Sequence, residues 1–421
     1  MIKYSIVIPT RDRFAYLNSA IESCLAFNRS DFEVIVSINT AKTWPQILEE
    51  YEPVDDVRVR YIITGALLSM NQNFNFGLLQ ARGDYIATLG DDDAFLPAAL
   101  DFADQFFAQQ PELPLCWFRR PYFWPDYEQL PFSNLVPNTL HCWTAINLQI
   151  VESRPLLEKI CNQYVPYHSL PSIYNSFYPR QLVQRFRDAQ LELEGESTPR
   201  SIFLKQVLSV DVFTAYAALV FTSKFGLISI PLSISGISSR SNGMSGLRKI
   251  QGEESVKFYQ EMPSSLRSSI ASGPFAGYQN MHVQICNDGC KALEEYRKCS
   301  TWNVPLIQPT SIASSLIDSF CDSEFINQPW TTPEIIRLSV DFGQTSKLDR
   351  LAEILTWYVK NYEDQLCLWE KEQQEPPKVA TSSESYCIIN CKYFNVSTAY
   401  EAVRLYQEIL ANPSTLSGSS Q

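Results

Sequence analysis

Strand and helix patterns alternate over the first 110 residues, and this alternation restricts the fold more than any other feature of the chain. Short runs typical of strands occupy residues 4–8, 32–38, 57–63 and 85–89; they are mainly apolar, except that Arg58 and Arg60 alternate with apolar residues in the third. Apolar residues at helical spacing lie between and after these runs, at residues 14–26, 44–51, 69–81 and 97–109. The order predicts an α/β fold with a mostly parallel sheet flanked by helices on both faces. In such a sheet, ligands bind beyond the carboxyl ends of the strands.

Three consecutive carboxylates, Asp91, Asp92 and Asp93, stand directly after the fourth strand pattern, where a ligand of such a sheet would bind. Their mutual repulsion costs stability unless something neutralises them. A hard divalent cation, Mg²⁺ or Mn²⁺, would do so, and Mg²⁺ is typically held by one or two carboxylates together with substrate phosphates. The pattern therefore indicates a metal that carries a diphosphate. An acidic turn or a helix N-cap formed by Asp93 is the alternative.

The composition excludes several classes of protein. The formal net charge of −12 argues against nucleic acid as a partner, because phosphate backbones are bound by clustered Lys and Arg. No apolar run reaches the roughly 18 residues of a spanning helix, and no secretory signal precedes the first strand pattern. We therefore expect a soluble, cytoplasmic protein with no transmembrane segment.

The eleven cysteines and three histidines form no recognisable metal-binding pattern. No Cys-x-x-Cys pair occurs, and Cys286 and Cys290, like Cys387 and Cys391, are spaced as neighbours on a helix. We expect buried thiols at these positions rather than zinc ligands. Any metal is therefore expected to be bound by oxygen.

The rest of the chain is less regular. Residues 111–245 include an aromatic and proline-rich stretch, 117–132, and a helix pattern at 211–222. From about residue 250 the pattern is mainly helical, interrupted by a polar linker at 370–385. We predict one domain over residues 1–245, with halves 1–110 and 111–245, followed by a helical region, 250–421, of unknown role.

Two segments together resemble the family-2 glycosyltransferases. Residues 5–13, Ser-Ile-Val-Ile-Pro-Thr-Arg-Asp-Arg, are similar to the opening strand and loop of that family. Residues 81–93, which end in the acidic run, are similar to its strand leading into the Asp-x-Asp metal motif. The resemblance implies a GT-A fold and an inverting hexosyltransferase that moves a sugar from a nucleoside diphosphate to an acceptor hydroxyl. It also implies a metal, Mn²⁺ or Mg²⁺, held by Asp91 and Asp93.

The resemblance assigns further residues to the donor. It implies that the nucleotide sugar is lined by Pro9, Thr10, Arg11, Asp12, Asp91 and Asp92. Arg82 and Asp84 would border the base or ribose, although a helix-to-strand turn explains Arg82-Gly83-Asp84 equally well. Arg240, in a Gly- and Ser-rich segment, is a further candidate for the diphosphate, the alternative being a plain flexible loop.

One residue departs from the family pattern. Asn39 stands after the second strand, where many members carry an acidic residue that contacts the nucleotide. An amide can donate and accept hydrogen bonds but carries no charge. We therefore expect UDP as the nucleotide only because it is the usual one for this fold, and no residue selects it.

The resemblance also suggests a general base. Asp211 lies about 120 residues after the acidic run, at the start of a predicted helix, a position similar to that of the family's base. A simple helix N-cap is the alternative, and Asp188, Glu194 and Glu196 are competing carboxylates. The acceptor could be a growing polysaccharide, a lipid-linked sugar or a protein, and the aromatic stretch 117–132 could stack on it. The C-terminal helices would bind the acceptor or mediate self-association.

Sequence features distinguish three other functions from the transferase. A nucleotidyltransferase would open with a Gly-rich loop, and residues 9–13 contain no glycine. A dinucleotide oxidoreductase would carry G-x-G-x-x-G after the first strand, which is missing here. A binding or scaffold protein on a degenerate transferase fold, without turnover, is the alternative that Asn39 and the C-terminal region keep open.

Overall fold

In the computed structural model, the described residues are 2–118, 120–123, 139–143, 146–194, 209–237, 272–278, 280–300, 302–322, 332–357, 360–361, 379–383, 386–394 and 396–412. The strands are β1 Tyr4–Thr10, β2 Phe32–Ile38, β3 Val59–Ile63, β4 Tyr85–Thr88, β5 Ala94–Phe95, β6 Leu115–Trp117, β7 Arg120–Phe123, β8 Thr139–Trp143, β9 Leu148–Glu152, β10 Ser176–Pro179, β11 Lys224–Ile228, β12 Ser233–Ile237, β13 Val379–Ser383 and β14 Tyr386–Asn390.

The α-helices are α1 Phe14–Leu25, α2 Trp44–Leu48, α3 Met70–Leu78, α4 Ala99–Phe107, α5 Ser153–Ile160, α6 Arg180–Glu194, α7 Val210–Phe221, α8 Met281–Tyr296, α9 Pro309–Asp322, α10 Thr332–Asp341 and α11 Ala399–Ala411. Residues 348–357 are also helical. Short 3₁₀ turns lie at Tyr167–Ser169, Arg297–Cys299, Thr345–Lys347 and Cys391–Phe394.

The main sheet has eight strands in the order β3-β2-β1-β4-β10-β6-β11-β9. Its first four strands are all parallel, and β10 joins them in the antiparallel direction. The predicted α/β class and mostly parallel sheet are confirmed. The predicted elements of the first 110 residues are all present, with ends that differ by a few residues.

Alternate residues of the central strands pack on opposite faces of this sheet. In β1, Ile6 and Ile8 belong to one buried cluster, which includes side chains of α1 and α4. Val7 points to the other cluster, which includes side chains of α3, α6 and α7. Because both faces are covered, β1 and β2 are apolar along almost their whole length, as buried parallel strands usually are.

A second sheet, in the order β13-β14-β8-β7-β12-β5, joins distant parts of the chain. Residues 379–383, inside the segment expected to be a polar linker, form strand β13, so the linker prediction is wrong there. Helix α11 begins with a capping box between Thr398 and Glu401. Its residues Val403 and Tyr406 are wholly buried in the same cluster as Ile6.

The other C-terminal helices are mainly built around a cluster of their own. This cluster contains apolar residues of α8, α9 and α10 and of residues 348–354. The predicted helical character of the C-terminal region is confirmed. Cys286 and Cys290 are buried free thiols on α8, as expected, and Cys391 is likewise buried.

Glu33 is a buried carboxylate at the amino ends of the parallel strands. It accepts hydrogen bonds from the Ser5 hydroxyl at 2.7 Å and from the Arg82 guanidinium at 2.6 Å. Burial alone would raise the pKa of Glu33, but the hydrogen bonds from Arg82 and Ser5 outweigh burial and lower it. Its role here is therefore to tie the starts of β1, β2 and β4 together.

Glu33→Ala is expected to lower the free energy of unfolding by about 1–3 kcal/mol, because buried partners such as the Ser5 hydroxyl are left unsatisfied. Since the pKa of Glu33 is lowered on folding, its contribution is present above the pKa of an unfolded glutamate, about 4.3, and is lost as the pH falls. Urea unfolding at pH 7 and pH 3.5 measures both. Asp101→Ala is the control: its side chain is 75% exposed on α4, so a loss of at most about 1 kcal/mol is expected. Equal stability of Glu33→Ala and wild type at pH 7 would contradict this role.

Candidate functional site

The acidic run lies at the carboxyl edge of the parallel strands, beside the end of β1. Thr10 is the last residue of β1, and its hydroxyl donates to Asp91 Oδ2 at 2.6 Å. Strands β1 and β4 are parallel neighbours, so the loops after them emerge at the same edge. Asp91, Asp92 and Asp93 are all buried, with at most 7% of each residue exposed. The structure therefore brings Thr10 and the acidic run together.

Among the described residues, Arg13 is a cation that faces this run. Its guanidinium forms an ion pair with Asp91 and lies 2.7 Å from Asp92 Oδ1. Burial opposes the charge of Arg13, but the two carboxylates outweigh burial and raise its pKa. Burial raises the pKa of Asp91, and the Arg13 charge opposes that shift. Arg13 was not among the predicted site residues.

Asp93 is held by backbone amides from two directions. Gly236 of β12 donates to its Oδ1 at 2.8 Å, and Gly90 donates to its Oδ2 at 3.1 Å. Strand β12 passes very close to the run, because a Cβ on Gly236 would lie 1.6 Å from the carbonyl oxygen of Asp92. Asp93 therefore makes the contacts expected of an acidic turn, which was the alternative to a metal site. The same contacts also fix where its carboxylate points.

Pro9, Arg11 and Asp12 line the same corner of the molecule. Pro9 is the half-buried residue before Thr10 in β1. Asp12 is exposed and has a φ of 52°, a left-handed conformation that Asp tolerates better than most residues. Arg11 Nε is 3.9 Å from Asp12 Oδ2. This left-handed turn separates Arg11 from Arg13, which points back to the acidic run.

Asn39 follows β2 at the same edge and is buried. Its backbone N–H donates to Thr10 O at 2.9 Å. Its side chain donates to Leu68 O and accepts from Leu68 N, each at 2.8 Å. The amide thus closes the loop after β3 onto the end of β2, where an acidic residue could not donate.

Asp211 lies in the first turn of α7 and is half-buried. A chain of hydrogen bonds connects this turn to the end of β4. Thr214 Oγ1 accepts from Ile173 N at 3.0 Å, and Ile173 O accepts from Thr88 Oγ1 at 2.7 Å. Because Thr88 is three residues before Asp91, the start of α7 lies at the carboxyl edge that carries the acidic run.

Arg82 and Asp84 lie at the opposite edge of the sheet. Both precede β4, and Arg82 pairs with Glu33 at the strand starts. Ser5 and Thr10 mark the two edges along β1, about five residues or roughly 16 Å apart. The structure therefore does not bring Arg82 and Asp84 to the site. They form the helix-to-strand turn that was the alternative.

The remaining candidates are only partly described. Arg240, Glu196 and most of the aromatic stretch lie outside the described residues. Trp117 is wholly buried and donates from Nε1 to Ser233 Oγ at 2.9 Å, so it serves packing. Asp188 is exposed on α6 and accepts from Gln184 at 2.6 Å.

The atoms of the acidic run that could bind a metal are carboxylate oxygens, which suit a hard divalent cation. In the conformation described, both oxygens of Asp91 accept from Thr10 and Arg13, and both oxygens of Asp93 accept from backbone amides. Within the described ranges, no group of three or more His, Cys, Asp or Glu side chains is arranged around a common metal position. The chemistry of the run therefore suits a metal, while its present contacts are internal.

Part of the chain matches a known protein family. Residues 5–123 match the family model described as glycosyl transferase family 2. This match confirms the family resemblance predicted from residues 5–13 and 81–93.

Two curated relatives are glycosyltransferases by name. A GalNAc(5)-diNAcBac-PP-undecaprenol beta-1,3-glucosyltransferase of Campylobacter jejuni is 34% identical over 101 residues, or 24% of this chain and 33% of that protein. The putative colanic acid biosynthesis glycosyl transferase WcaA of Escherichia coli is 26% identical over 163 residues, or 33% of this chain and 56% of that protein. The chain thus spans about a third of the length of the Campylobacter jejuni relative and about half of the length of WcaA.

Solved structures give more distant likenesses. S. aureus TarS 1–349 in complex with UDP-GlcNAc has a TM-score of 0.39 and 14% identity, covering 86% of this chain and 92% of that one. Mannosyltransferase PcManGT from Pyrobaculum calidifontis, in complex with GDP-Man and Mn²⁺, has a TM-score of 0.37 and 12% identity, covering 86% and 87%. Neither likeness identifies the donor of this protein. No helix among the described residues is both long and apolar enough to cross a membrane.

Proposed function

We propose that this protein is an inverting hexosyltransferase that moves a sugar from a nucleoside diphosphate to an acceptor hydroxyl. One observation carries the proposal: the acidic run and Asp211 come from distant parts of the chain and lie at the same edge of the sheet. The family match over residues 5–123 supports a nucleotide-sugar donor.

The donor would bind at the corner formed by the end of β1 and the acidic run. Thr10 and Arg13 hold Asp91 in place, and Pro9, Arg11 and Asp12 form the adjoining wall. Asn39 would contribute by holding the loop at residues 64–68. Its side-chain amide would not bind the nucleotide directly, since the amide oxygen and nitrogen are both hydrogen-bonded to the Leu68 backbone. We propose UDP as the nucleotide.

We also propose a divalent cation, Mn²⁺ or Mg²⁺, at the acidic run. Asp91 and Asp93 would hold it, with Asp92 facing the donor. When bound, such an ion offsets the negative charge that develops on the leaving diphosphate. Arg13 balances part of the carboxylate charge in its absence, which explains how three buried carboxylates coexist in one turn.

Asp211 would act as the general base. Its carboxylate takes the proton of the acceptor hydroxyl while that oxygen forms a bond to the anomeric carbon. The bond from the anomeric carbon to the diphosphate oxygen breaks, and the nucleoside diphosphate leaves with the electron pair. Attack from the face opposite the leaving group inverts the anomeric centre.

A glycan is the acceptor that the relatives' names support. The Campylobacter jejuni relative is named for a lipid-linked acceptor, and WcaA for the biosynthesis of a polysaccharide, colanic acid. We therefore propose a role in polysaccharide or lipid-linked glycan synthesis. A protein acceptor is the less favoured alternative.

A scaffold protein without turnover is the second candidate, and a specific observation favours it. The oxygens of Asp91 and Asp93 and the amide of Asn39 already bind groups of the protein itself. A degenerate site would keep such contacts as structure and bind no donor.

Thermal unfolding with a panel of nucleoside diphosphates, each with and without Mn²⁺, separates the two candidates. A nucleotide at about a hundred times its dissociation constant should raise the midpoint by roughly 5–10 °C for a domain of this size. The rise should require Mn²⁺ and disappear in Asp93→Ala. Asp101→Ala is the matched control: its side chain is exposed on α4, and the rise should persist. If no nucleotide raises the midpoint, the scaffold function replaces the transferase.

A further inference from the structure

Helix α8, from the C-terminal region outside the family match, is fitted closely against the helix that carries Asp211. A Cβ on Gly289 would lie 2.6 Å from Cζ of Tyr216 on α7, so only glycine allows this approach. Further along, the Tyr296 and Phe213 rings pack with centroids 5.1 Å apart. The close packing fixes the neighbouring residue, Asp288, relative to the start of α7.

Asp288 contacts the start of α7 directly. Its residue is only 6% exposed, and its Oδ2 accepts from the backbone N–H of Ser209 at 3.1 Å. Ser209 is the N-cap position of α7, and its own side chain makes no capping hydrogen bond. The first N–H groups of a helix have no partner within the helix, and an anionic acceptor there is favoured by the helix dipole. Asp288 therefore provides a capping contact that the local sequence does not.

We propose that Asp288 is a positioning residue for the transfer site, which holds the turn at Ser209 and thereby fixes the carboxylate of Asp211. The inference rests on the proposed role of Asp211 as base. It gives α8 a function in the site, and it extends the site beyond the first 245 residues of the chain.

The charges around Asp288 make its role dependent on pH. Lys291 on α8 and Asp211 on α7 are the charged groups that act on it, and Ser209 is its hydrogen-bond donor. Burial raises the pKa of Asp288 to about 6, against the opposing effects of Lys291 and Ser209. Below that pH the charge is lost, and a hydrogen bond to a neutral acceptor is weaker than one to a carboxylate.

The raised pKa of Asp288 distinguishes a role in positioning Asp211 from a role in stabilising the fold. A group whose pKa is raised on folding makes the folded state less stable when it is ionised, so the Asp288 charge does not add to stability at pH 7.5. Asp288→Asn keeps a side-chain oxygen that can accept the hydrogen bond from Ser209. The amide is neutral throughout this pH range, so it has no charge to lose. Its unfolding midpoint at pH 7.5 should therefore equal or exceed that of the wild type.

The test measures kcat and donor KM from pH 5 to 8 for wild type, Asp288→Asn and Asp288→Ala. Wild-type kcat should fall as the pH drops through about 6, and this step should be missing in Asp288→Asn. Above about pH 6, Asp288→Ala should lower kcat about tenfold or more, since a hydrogen bond to a charged acceptor is lost, with donor KM unchanged. Below about pH 6 the difference from the wild type should be smaller, because the wild-type acceptor is neutral there. Asn287→Ala is the matched control, because this neighbouring buried residue binds the loop at Phe275 and Ser272 instead of α7.

Amide hydrogen exchange gives a readout that is independent of turnover. Asp288→Ala should speed exchange at residues 209–213, and Asn287→Ala should not. If the wild type transfers sugar but Asp288→Ala keeps both the wild-type kcat and the wild-type exchange, the positioning role is wrong. If the wild type transfers no sugar from any donor, the proposed function fails, and exchange at residues 209–213 still decides whether Asp288 holds the start of α7.

Discussion

Asp211→Asn is expected to lower kcat by about 10²–10⁴-fold, the usual contribution of a positioned general base. The amide has nearly the same shape as the carboxylate but cannot take a proton from the acceptor hydroxyl. Binding of the nucleoside diphosphate should change little, because the donor corner that we propose is formed by Thr10 and the acidic run on other loops. The measurement is transfer rate under saturating donor, together with nucleotide affinity from calorimetry.

Two comparisons make this experiment specific to Asp211. Asp188→Asn removes a carboxylate on α6 that is exposed and bound only to Gln184 among the contacts described, so wild-type turnover is expected. The unfolding midpoint of Asp211→Asn should remain close to wild type, since a charge in the first helical turn contributes only about 0.3–1 kcal/mol. Wild-type turnover of Asp211→Asn would remove this residue from the mechanism and leave its charge in the first turn of α7 as its role.

The parallel sheet could be predicted because its strands are buried on both faces. Such strands appear as continuous apolar runs, and Phe32–Ile38 begins and ends as predicted. Helix α7 begins one residue before the predicted start, which places Asp211 in its first turn. Local patterns of this kind contain enough information to place the acidic run at the carboxyl edge.

Arg82 and Asp84 show how a motif can be assigned to the wrong end of a strand. Both residues precede β4, and residues before a parallel strand lie at its amino edge. The sequence order alone therefore places Arg82 and Asp84 at the amino edge of β4, away from a donor at the carboxyl edge. The Glu33 carboxylate that binds Arg82 is 49 positions away and has no local signature.

Other parts of the site depend on contacts between distant residues. Gly236 is 143 positions from Asp93, and Asp288 is 79 positions from Ser209. The left-handed conformation of Asp12, between Arg11 and Arg13, is likewise not visible in the sequence, and neither is the ion pair of Arg13 with Asp91. Periodicity and spacing describe neighbours along the chain, so they do not reveal these partners.

Gly236→Ala is expected to abolish nucleotide binding, or weaken it more than a hundredfold. The added Cβ would lie 1.6 Å from the carbonyl oxygen of Asp92, and that atom belongs to the backbone, so either β12 or the acidic turn must move. Any such movement also breaks the 2.8 Å hydrogen bond from Gly236 to Asp93. A displacement of about 1 Å in a site that orients reacting groups can cost about 10²-fold in rate.

Gly226→Ala separates damage to the site from damage to the fold. Its Cβ would lie 2.4 Å from Cε2 of the Phe106 side chain, on β11 and away from the acidic turn. Overpacking of this kind costs about 1–3 kcal/mol, so both variants should have lower unfolding midpoints. Only Gly236→Ala should also lose metal-dependent binding of the nucleotide, because only there does the added carbon displace the carboxylates. Normal nucleotide affinity in a folded Gly236→Ala variant would mean that the acidic turn does not hold the donor, and the donor site would have to lie elsewhere along the carboxyl edge.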